Sequence, residues 1–316
     1  MGQGTLGLLC PGQGSQRVGM GARLLADHPQ AREWFERADQ ALGESLSRLC
    51  LEGPEEALRL TENAQPALLL VGYVAGRLLE ASGLEVTMAA GHSLGEITAL
   101  TLADALAFED ALRLVRLRGK LMQQAVPVGE GAMAALRTGD AQTLGAIVAG
   151  VEPELGLVVA ANFNGPDQTV LSGAAAAVRR ALVVARSLGV AGREIPVSAP
   201  FHCELMRPAA DAFSDALAEV AFADALRFPV VTNVTAEPVR SGAAAREFLA
   251  LQVTHPVRWG ECLACMERSG IRRFVEVGPG DVLTKLSRRI VRDASFLSAD
   301  GSEGLVHVVR ELAAAA

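Results

Sequence analysis

The sequence predicts an α/β protein whose main parallel sheet is interrupted by a small subdomain of a different order. Three observations carry this. Short apolar runs alternate with longer helix-like segments at both ends of the chain, the pattern of parallel strands covered by helices. One run, Met88-Ala89-Ala90, leads into Gly91-His92-Ser93-Leu94-Gly95-Glu96, a G-x-S-x-G turn between a strand and a helix. Between residues 127 and 196 the order becomes β-α-β-β-α-β, which is ferredoxin-like.

Element by element, Thr5 to Cys10 reads as a strand ending in Pro11-Gly12-Gln13-Gly14-Ser15-Gln16. Arg23 to Ala41 reads as one helix. Pro66 to Ala81 reads as another, apolar nearly all round and therefore buried. Val86 to Ala90 is the strand before the serine, and Ile97 to Leu106 continues as helix. Helical pattern persists to about Ala125, where Pro127, Gly129 and Gly131 break it. In the small subdomain, Ala132 to Leu136, Leu157 to Ala161, Thr169 to Leu171 and Arg193 to Val197 read as strands. Ala141 to Ala149 and Ala174 to Leu188 read as helices, and Asn162 to Asp167 as a turn. The α/β pattern then resumes. Leu205 to Val220 reads as helix, Val230 to Val234 and Phe274 to Val277 as strands, and Asp281 to Val291 as helix. Leu312 to Ala316 reads as a fraying tail. The serine turn makes the large part α/β-hydrolase-like. It should span residues 1–126 and 197–316, with the ferredoxin-like insert at 127–196.

Composition narrows the function class. The chain has 316 residues, enough for two subdomains around substantial cores. Half of them are hydrophobic, with mean hydropathy +0.27. Yet no run reaches the roughly 18 uninterrupted apolar residues of a membrane span. No basic segment followed by a long apolar one marks a secretory signal. A net charge of −7 argues against nonspecific nucleic-acid binding. Five cysteines do not pair evenly, and Cys262-x-x-Cys265 has neither a second pair nor a nearby histidine, so buried small hydrophobes in a reducing cytoplasm are expected and no metal site is.

A serine nucleophile needs a base. Of the five histidines, His28 sits beside Pro29 at a helix boundary and His307 lies outside any motif. His92 adjoins the serine and should support the turn. His202 follows Pro200-Phe201 at the edge of a returning strand, where loops of an α/β fold meet at the active end. Pattern alone leaves a structural and a catalytic histidine equally open there. A phosphate-loop reading of Pro11 to Gln16 fails, because no Gly-Lys-Ser/Thr follows and Arg17 stands where a dinucleotide fingerprint needs its third glycine.

Six motifs occur in order: Pro11-Gly12-Gln13-Gly14-Ser15-Gln16, Gly91 to Glu96, Arg118-Gly119-Lys120-Leu121-Met122, Asn162-x-Asn164 with Ser172-Gly173, Pro200-Phe201-His202, and Glu276-Val277-Gly278-Pro279-Gly280. Together they resemble the malonyl-CoA:acyl carrier protein transacylases and the acyltransferase domains of polyketide synthases, over nearly the whole chain. The resemblance implies a Ser93–His202 dyad, with the histidine oriented by the backbone carbonyl of Gln252 and an oxyanion hole at the N–H groups of Gln13 and Leu94. It makes Arg118 the residue that holds a malonyl carboxylate, where an isolated helix pattern reads a solvated cation. It places Met122 and Phe201 against the substrate, Phe201 filling the space an α-methyl needs. Ile97 departs from the aromatic often found there.

The implied reaction moves malonyl from malonyl-CoA to the phosphopantetheine thiol of a holo acyl carrier protein, in fatty-acid or polyketide synthesis. It uses no cofactor and no metal, and a cytoplasmic monomer is expected. The alternatives are a hydrolase that releases acyl groups from carrier proteins, an acyltransferase for another acyl-CoA, and a non-catalytic carrier-binding module. Lys285, Arg288, Arg289 and Arg292 fall at i, i+3, i+4 and i+7 of the last predicted helix. They read either as a dock for an acidic carrier or CoA phosphates, or as a solvated face.

Overall fold

The computed structural model describes residues 5–197 and 199–314. Among them, ten strands form two sheets: β1 (Leu6–Cys10), β2 (Val86–Gly91), β3 (Gly131–Leu136), β4 (Val158–Gly165), β5 (Gln168–Ala174), β6 (Gly192–Glu194), β7 (Val230–Val231), β8 (Pro238–Val239), β9 (Arg273–Glu276) and β10 (Ser295–Ser298). The large sheet has the order β10-β9-β1-β2-β7-β8, parallel except for β8. Its strands are apolar on both faces, as a sheet covered on both sides requires. Leu6, Leu8 and Cys10 face one core, and Leu9 faces the other. Val230 and Val231 divide in the same way. The chain leaves β1 toward β2 on one side, and β9 comes back on the other. The loops after β1, β2 and β9 therefore gather at one edge, the crevice where α/β sheets place ligands.

The small sheet, β4-β5-β3-β6, is antiparallel throughout. With the helices Ala141–Ala149 and Ala175–Ser187 it is the ferredoxin-like β-α-β-β-α-β unit, with its own core around Leu136, Ile147, Leu171 and Val178. It joins the large part by backbone. Phe163 N–H donates to Val257 O at 2.8 Å, and Val257 N–H donates to Ala161 O at 2.8 Å. This bridge carries Asn162 and Asn164 to the crevice.

Several elements differ from the sequence reading. Arg23 to Ala41 is two helices, Ala22–Asp27 and Ala31–Leu42. Pro29 keeps His28 out of helical conformation, at φ −127° and ψ 93°. The helix expected from Pro66 starts earlier, at Thr61, with Pro66 inside it. The missing N–H is tolerated because tertiary packing buries nearly every residue from Ala64 to Leu79. The helix after the serine is Leu94–Leu102, and Asp104 at φ 58° turns the chain after it. The six-residue turn at Asn162 to Asp167 shrinks to Pro166-Asp167, because β4 and β5 pair as far as Gly165 and Gln168. The strand expected from Arg193 to Val197 is only Gly192–Glu194, at an exposed edge. The helix expected over Leu205 to Val220 is a 3₁₀ turn, Glu204–Met206, followed by Arg207–Ala218, with Pro208 in its first turn. Val230 to Val234 is strand only to Val231, since Asn233 leaves the ladder. The tail is helical through Ala314, its apolar side buried at Leu305, Val308 and Leu312. Ala315, Ala316 and Ser198, which the sequence reading used, lie outside the described residues. No described helix is long and apolar enough to cross a membrane.

Two glycines set the approach of β2, β1 and the helix Leu94–Leu102. A Cβ on Gly91 would lie 1.9 Å from Gly95 C and O, and one on Gly95 would lie 1.9 Å from Cys10 O. All of these are backbone atoms that cannot step aside. Gly95→Ala is therefore expected to lose more than ~4 kcal/mol of stability or fail to fold, measured by urea denaturation. A variant within 1 kcal/mol of the parent contradicts this packing.

Candidate active site

Ser93 sits between β2 and the helix Leu94–Leu102 at φ 53° and ψ −108°, a strained conformation for a residue with a side chain. Asn233 braces it. The Asn233 side chain accepts from Ser93 N–H at 2.8 Å and donates to Gly91 O at 2.7 Å. Its backbone N–H donates to Glu96 Oε2 at 2.9 Å. All three bonds reach across from the end of β7, which is why β7 stops so soon.

Ser93 Oγ lies 2.7 Å from His202 Nε2. His202 Nδ1 lies 2.9 Å from Gln252 O. A carbonyl only accepts, so Nδ1 carries the ring proton and Nε2 is the basic nitrogen facing the serine. Burial first, and the Arg118 cation second, push the His202 pKa down to about 3. The neutral base form is thus the resting one, and the pair can move a proton from Oγ to Nε2.

Arg118 comes from the helix Phe108–Gln124 and is 1 % exposed. Gly119 allows this position: a Cβ there would meet Glu62 Cα at 2.6 Å, so the helix Thr61–Ala81 packs directly alongside. Arg118 Nη1 donates to Gln65 Oε1 at 2.8 Å. Nη2 donates to Gln252 Oε1 at 2.8 Å and to Ser93 Oγ at 3.1 Å. Among the described residues its Nε has no hydrogen-bond partner. Burial lowers the Arg118 pKa to about 10, with Glu96 opposing, so the cation persists at neutral pH. Glu96 is fully buried and its pKa is pushed up to about 7 by burial.

A cavity of about 480 Å³ opens onto these groups. Gln13, Ser93, Leu94, Arg118, Met122, Phe201 and His202 all line it, so the residues expected from four separate motifs converge. Asn162, Asn164 and Gln168 line it from the small sheet, and Val282, Leu283 and Leu286 from the opposite side. Ile97 is buried in the main core and does not line the cavity.

A family model described as the acyl transferase domain matches residues 8–306. The chain is 41% identical over 309 residues to the malonyl CoA-acyl carrier protein transacylase of Bacillus subtilis (strain 168), covering 97% of each chain. The chain belongs to the malonyl CoA-acyl carrier protein transacylase family. Its architecture follows. The solved transacylase of Coxiella burnetii superposes with a TM-score of 0.93 at 40% identity, over 98% of each chain. A malonyl-transacylase in complex with a type II PKS acyl-carrier protein superposes with a TM-score of 0.93 at 38% identity, over 97% of this chain and 99% of that one.

Within this transacylase fold, the four basic residues expected on the last predicted helix are exposed but do not all lie on one helix. The helix is only Val282–Ser287, with Glu276 accepting from Leu283 N–H (3.0 Å) and Thr284 N–H (2.7 Å) at its start, and hydrogen-bonded turns continue from Arg288 to Val291. Lys285 pairs with Asp281, Arg289 with Asp167, and Arg288 donates to Phe296 O. Arg292 lies beyond the turn, exposed. Cys262 and Cys265 are buried free thiols of the helix Trp259–Arg268.

Sequence reasoning missed Gln65 and Asn233, whose partners are far away in the chain, and it undervalued the Gln252 side chain. Gln252 Nε2 donates to Glu96 Oε2 at 2.7 Å and to Ser93 O at 3.0 Å, in addition to the contact its Oε1 makes with Arg118. The Glu96 in the serine motif was the one available signal, since a buried carboxylate needs donors. Asn233→Ala leaves Ser93 N–H and Gly91 O without their partner. It is expected to cost about 2–4 kcal/mol, read by urea denaturation, and to slow acylation of Ser93. A loss under 1 kcal/mol removes the bracing role.

Proposed function

We propose that this chain transfers malonyl from malonyl-CoA to the phosphopantetheine thiol of an acyl carrier protein, through an ester on Ser93. The observation that carries this reading is the buried Arg118 guanidinium 3.1 Å from Ser93 Oγ. A carboxylate held there puts a carbonyl two bonds away beside the nucleophile. Ser93 Oγ attacks the thioester carbonyl while His202 Nε2 takes its proton. The oxyanion rests on the backbone N–H groups of Leu94 and Gln13. Ser93 N–H is spent on Asn233, so the next N–H, at the start of the helix Leu94–Leu102, is the one left for this role. The tetrahedral adduct expels the CoA thiolate, which takes the proton from the His202 imidazolium. The second half runs the same steps back. His202 takes the proton of the pantetheine thiol, the thiolate attacks the Ser93 ester, and Ser93 recovers its proton.

These steps need no bound cofactor, because Ser93 supplies the nucleophile and His202 the proton store. Arg118 sets the substrate class by a bidentate pair with the distal carboxylate. Met122 and Phe201 wall the pocket, and the Phe201 ring disfavours an α-branch. The likeness to a malonyl-transacylase in complex with a type II PKS acyl-carrier protein supports a carrier acceptor. Five buried, free cysteines suit a reducing cytoplasm.

The deciding experiment incubates the protein with malonyl-CoA and a holo carrier protein and weighs the products. Carrier gaining malonyl is the expected result. Free malonate in its place supports hydrolysis, and neither product supports binding alone. Arg118→Ala is expected to lower malonyl transfer on the order of 10²–10³-fold and to raise relative activity on acetyl-CoA; unchanged malonyl preference sinks the role of Arg118.

The pH dependence follows from His202. Its neutral form is the base, so activity falls only as pH drops through its pKa, which lies below the ordinary 6.5. Arg118→Met removes the second largest of the causes of that depression, which are burial, the Arg118 cation and His92. The acid limb of kcat/KM with a neutral acyl-CoA is expected to move upward in that variant. A limb that stays in place, or moves down, contradicts the assignment.

A further inference from the structure

The proposed carboxylate site and the nucleophile share one nitrogen. A guanidinium offers two forked edges to a carboxylate, Nε with Nη2 and Nη1 with Nη2. Both use Nη2. In this structure both hydrogens of Nη2 are engaged, one by Gln252 Oε1 and one by Ser93 Oγ. A carboxylate that docks bidentately must therefore displace one of them.

The surroundings decide which. Gln252 is fully buried and does not line the cavity, and its amide is held from behind by donation to Glu96 Oε2 and Ser93 O. Turning it would put its NH₂ against the guanidinium and its oxygen against a carboxylate. Ser93 faces the cavity beside Arg118. A carboxylate arriving through the cavity meets the hydrogen that Ser93 holds.

We propose that Arg118 gates the nucleophile: without an acyl carboxylate it ties up Ser93 Oγ, and carboxylate binding withdraws that bond and frees the oxygen to attack. The Oγ proton is donated to His202, so an Oγ lone pair is what Nη2 occupies. A lone pair held by a cation is a poorer nucleophile. The gate rests on the reading of Arg118 as the carboxylate receiver and adds to it. A neutral acyl-CoA is not only bound less well, it also meets a serine that is still latched. The empty enzyme is likewise held in a low-reactivity state.

The test uses no CoA substrate, so its failure is separate from failure of malonyl transfer, which appears as absence of a malonyl adduct on Ser93 by intact mass. Methanesulfonyl fluoride, a small neutral electrophile, sulfonylates the serine, and the rate is followed by intact mass. It is measured on the alkaline plateau, where His202 is neutral in every variant. Sodium formate supplies a carboxylate too small to cover Ser93, with sodium chloride at equal ionic strength as control. Formate is expected to speed sulfonylation of the wild type by about tenfold. Arg118→Met is expected to react about as fast without formate and to ignore it. A wild-type rate that formate leaves unchanged or lowers overturns the gate. So does an acceleration that persists in folded Arg118→Met, or a folded Arg118→Met no faster than the wild type. If that variant fails to fold, the formate response of the wild type decides alone.

Discussion

The buried amide of Gln252 is the joint on which the site depends. Its backbone carbonyl fixes the His202 tautomer. Its side-chain oxygen receives Arg118, and its side-chain nitrogen holds the backbone of Ser93 and the carboxylate of Glu96. One residue at the end of the helix Gly242–Gln252 thus sets His202, Ser93 and Arg118 in a common frame. The amide has no freedom to flip, because a pure donor lies on one side and a carboxylate on the other.

That arrangement also answers an electrostatic problem. A lone guanidinium or carboxylate in a dry interior carries a large desolvation cost. Here Arg118 and Glu96 are both buried and are bridged by a single polar group. Neither is fully satisfied, since Arg118 Nε and Glu96 Oε1 have no hydrogen-bond partner among the described residues. The interior is therefore strongly polar yet incomplete, and the open donor of the two, Arg118 Nε, belongs to a side chain that lines the cavity. Burial keeps His202 neutral, and the Arg118 cation beside it adds to that effect.

Local pattern made the serine turn, the ferredoxin-like insert and most helices legible. Gly91-x-Ser93-x-Gly95 is readable because a strained strand-to-helix turn tolerates few residue types, and the insert is readable because its element order is short and regular. Errors fell where long-range contacts override local preference. β7 ended early because Asn233 was drawn to the elbow. The helix at Val282 stopped at Ser287 and gave way to hydrogen-bonded turns that run to Val291, so the expected Asp281 to Val291 helix is shorter. Thr61 begins a helix that Pro66 alone would have delayed, since burial outweighs one missing hydrogen bond.

The sequence by itself offered Ser93 as the candidate nucleophile, from a compact turn motif whose spacing is set by backbone geometry, and pointed to the family through six motifs in order; it left His202 open until that resemblance paired it with Ser93. It also named Arg118, though only through resemblance, since an arginine on a helix carries no local sign of burial. Only the tertiary structure decided that Arg118 is buried, that Gln65 and Asn233 belong to the site, and that the Gln252 side chain joins its charges. Those facts depend on which helices and strand ends meet in space. Gly119 permits the meeting that buries Arg118, and no one-dimensional pattern records what a missing Cβ lets approach.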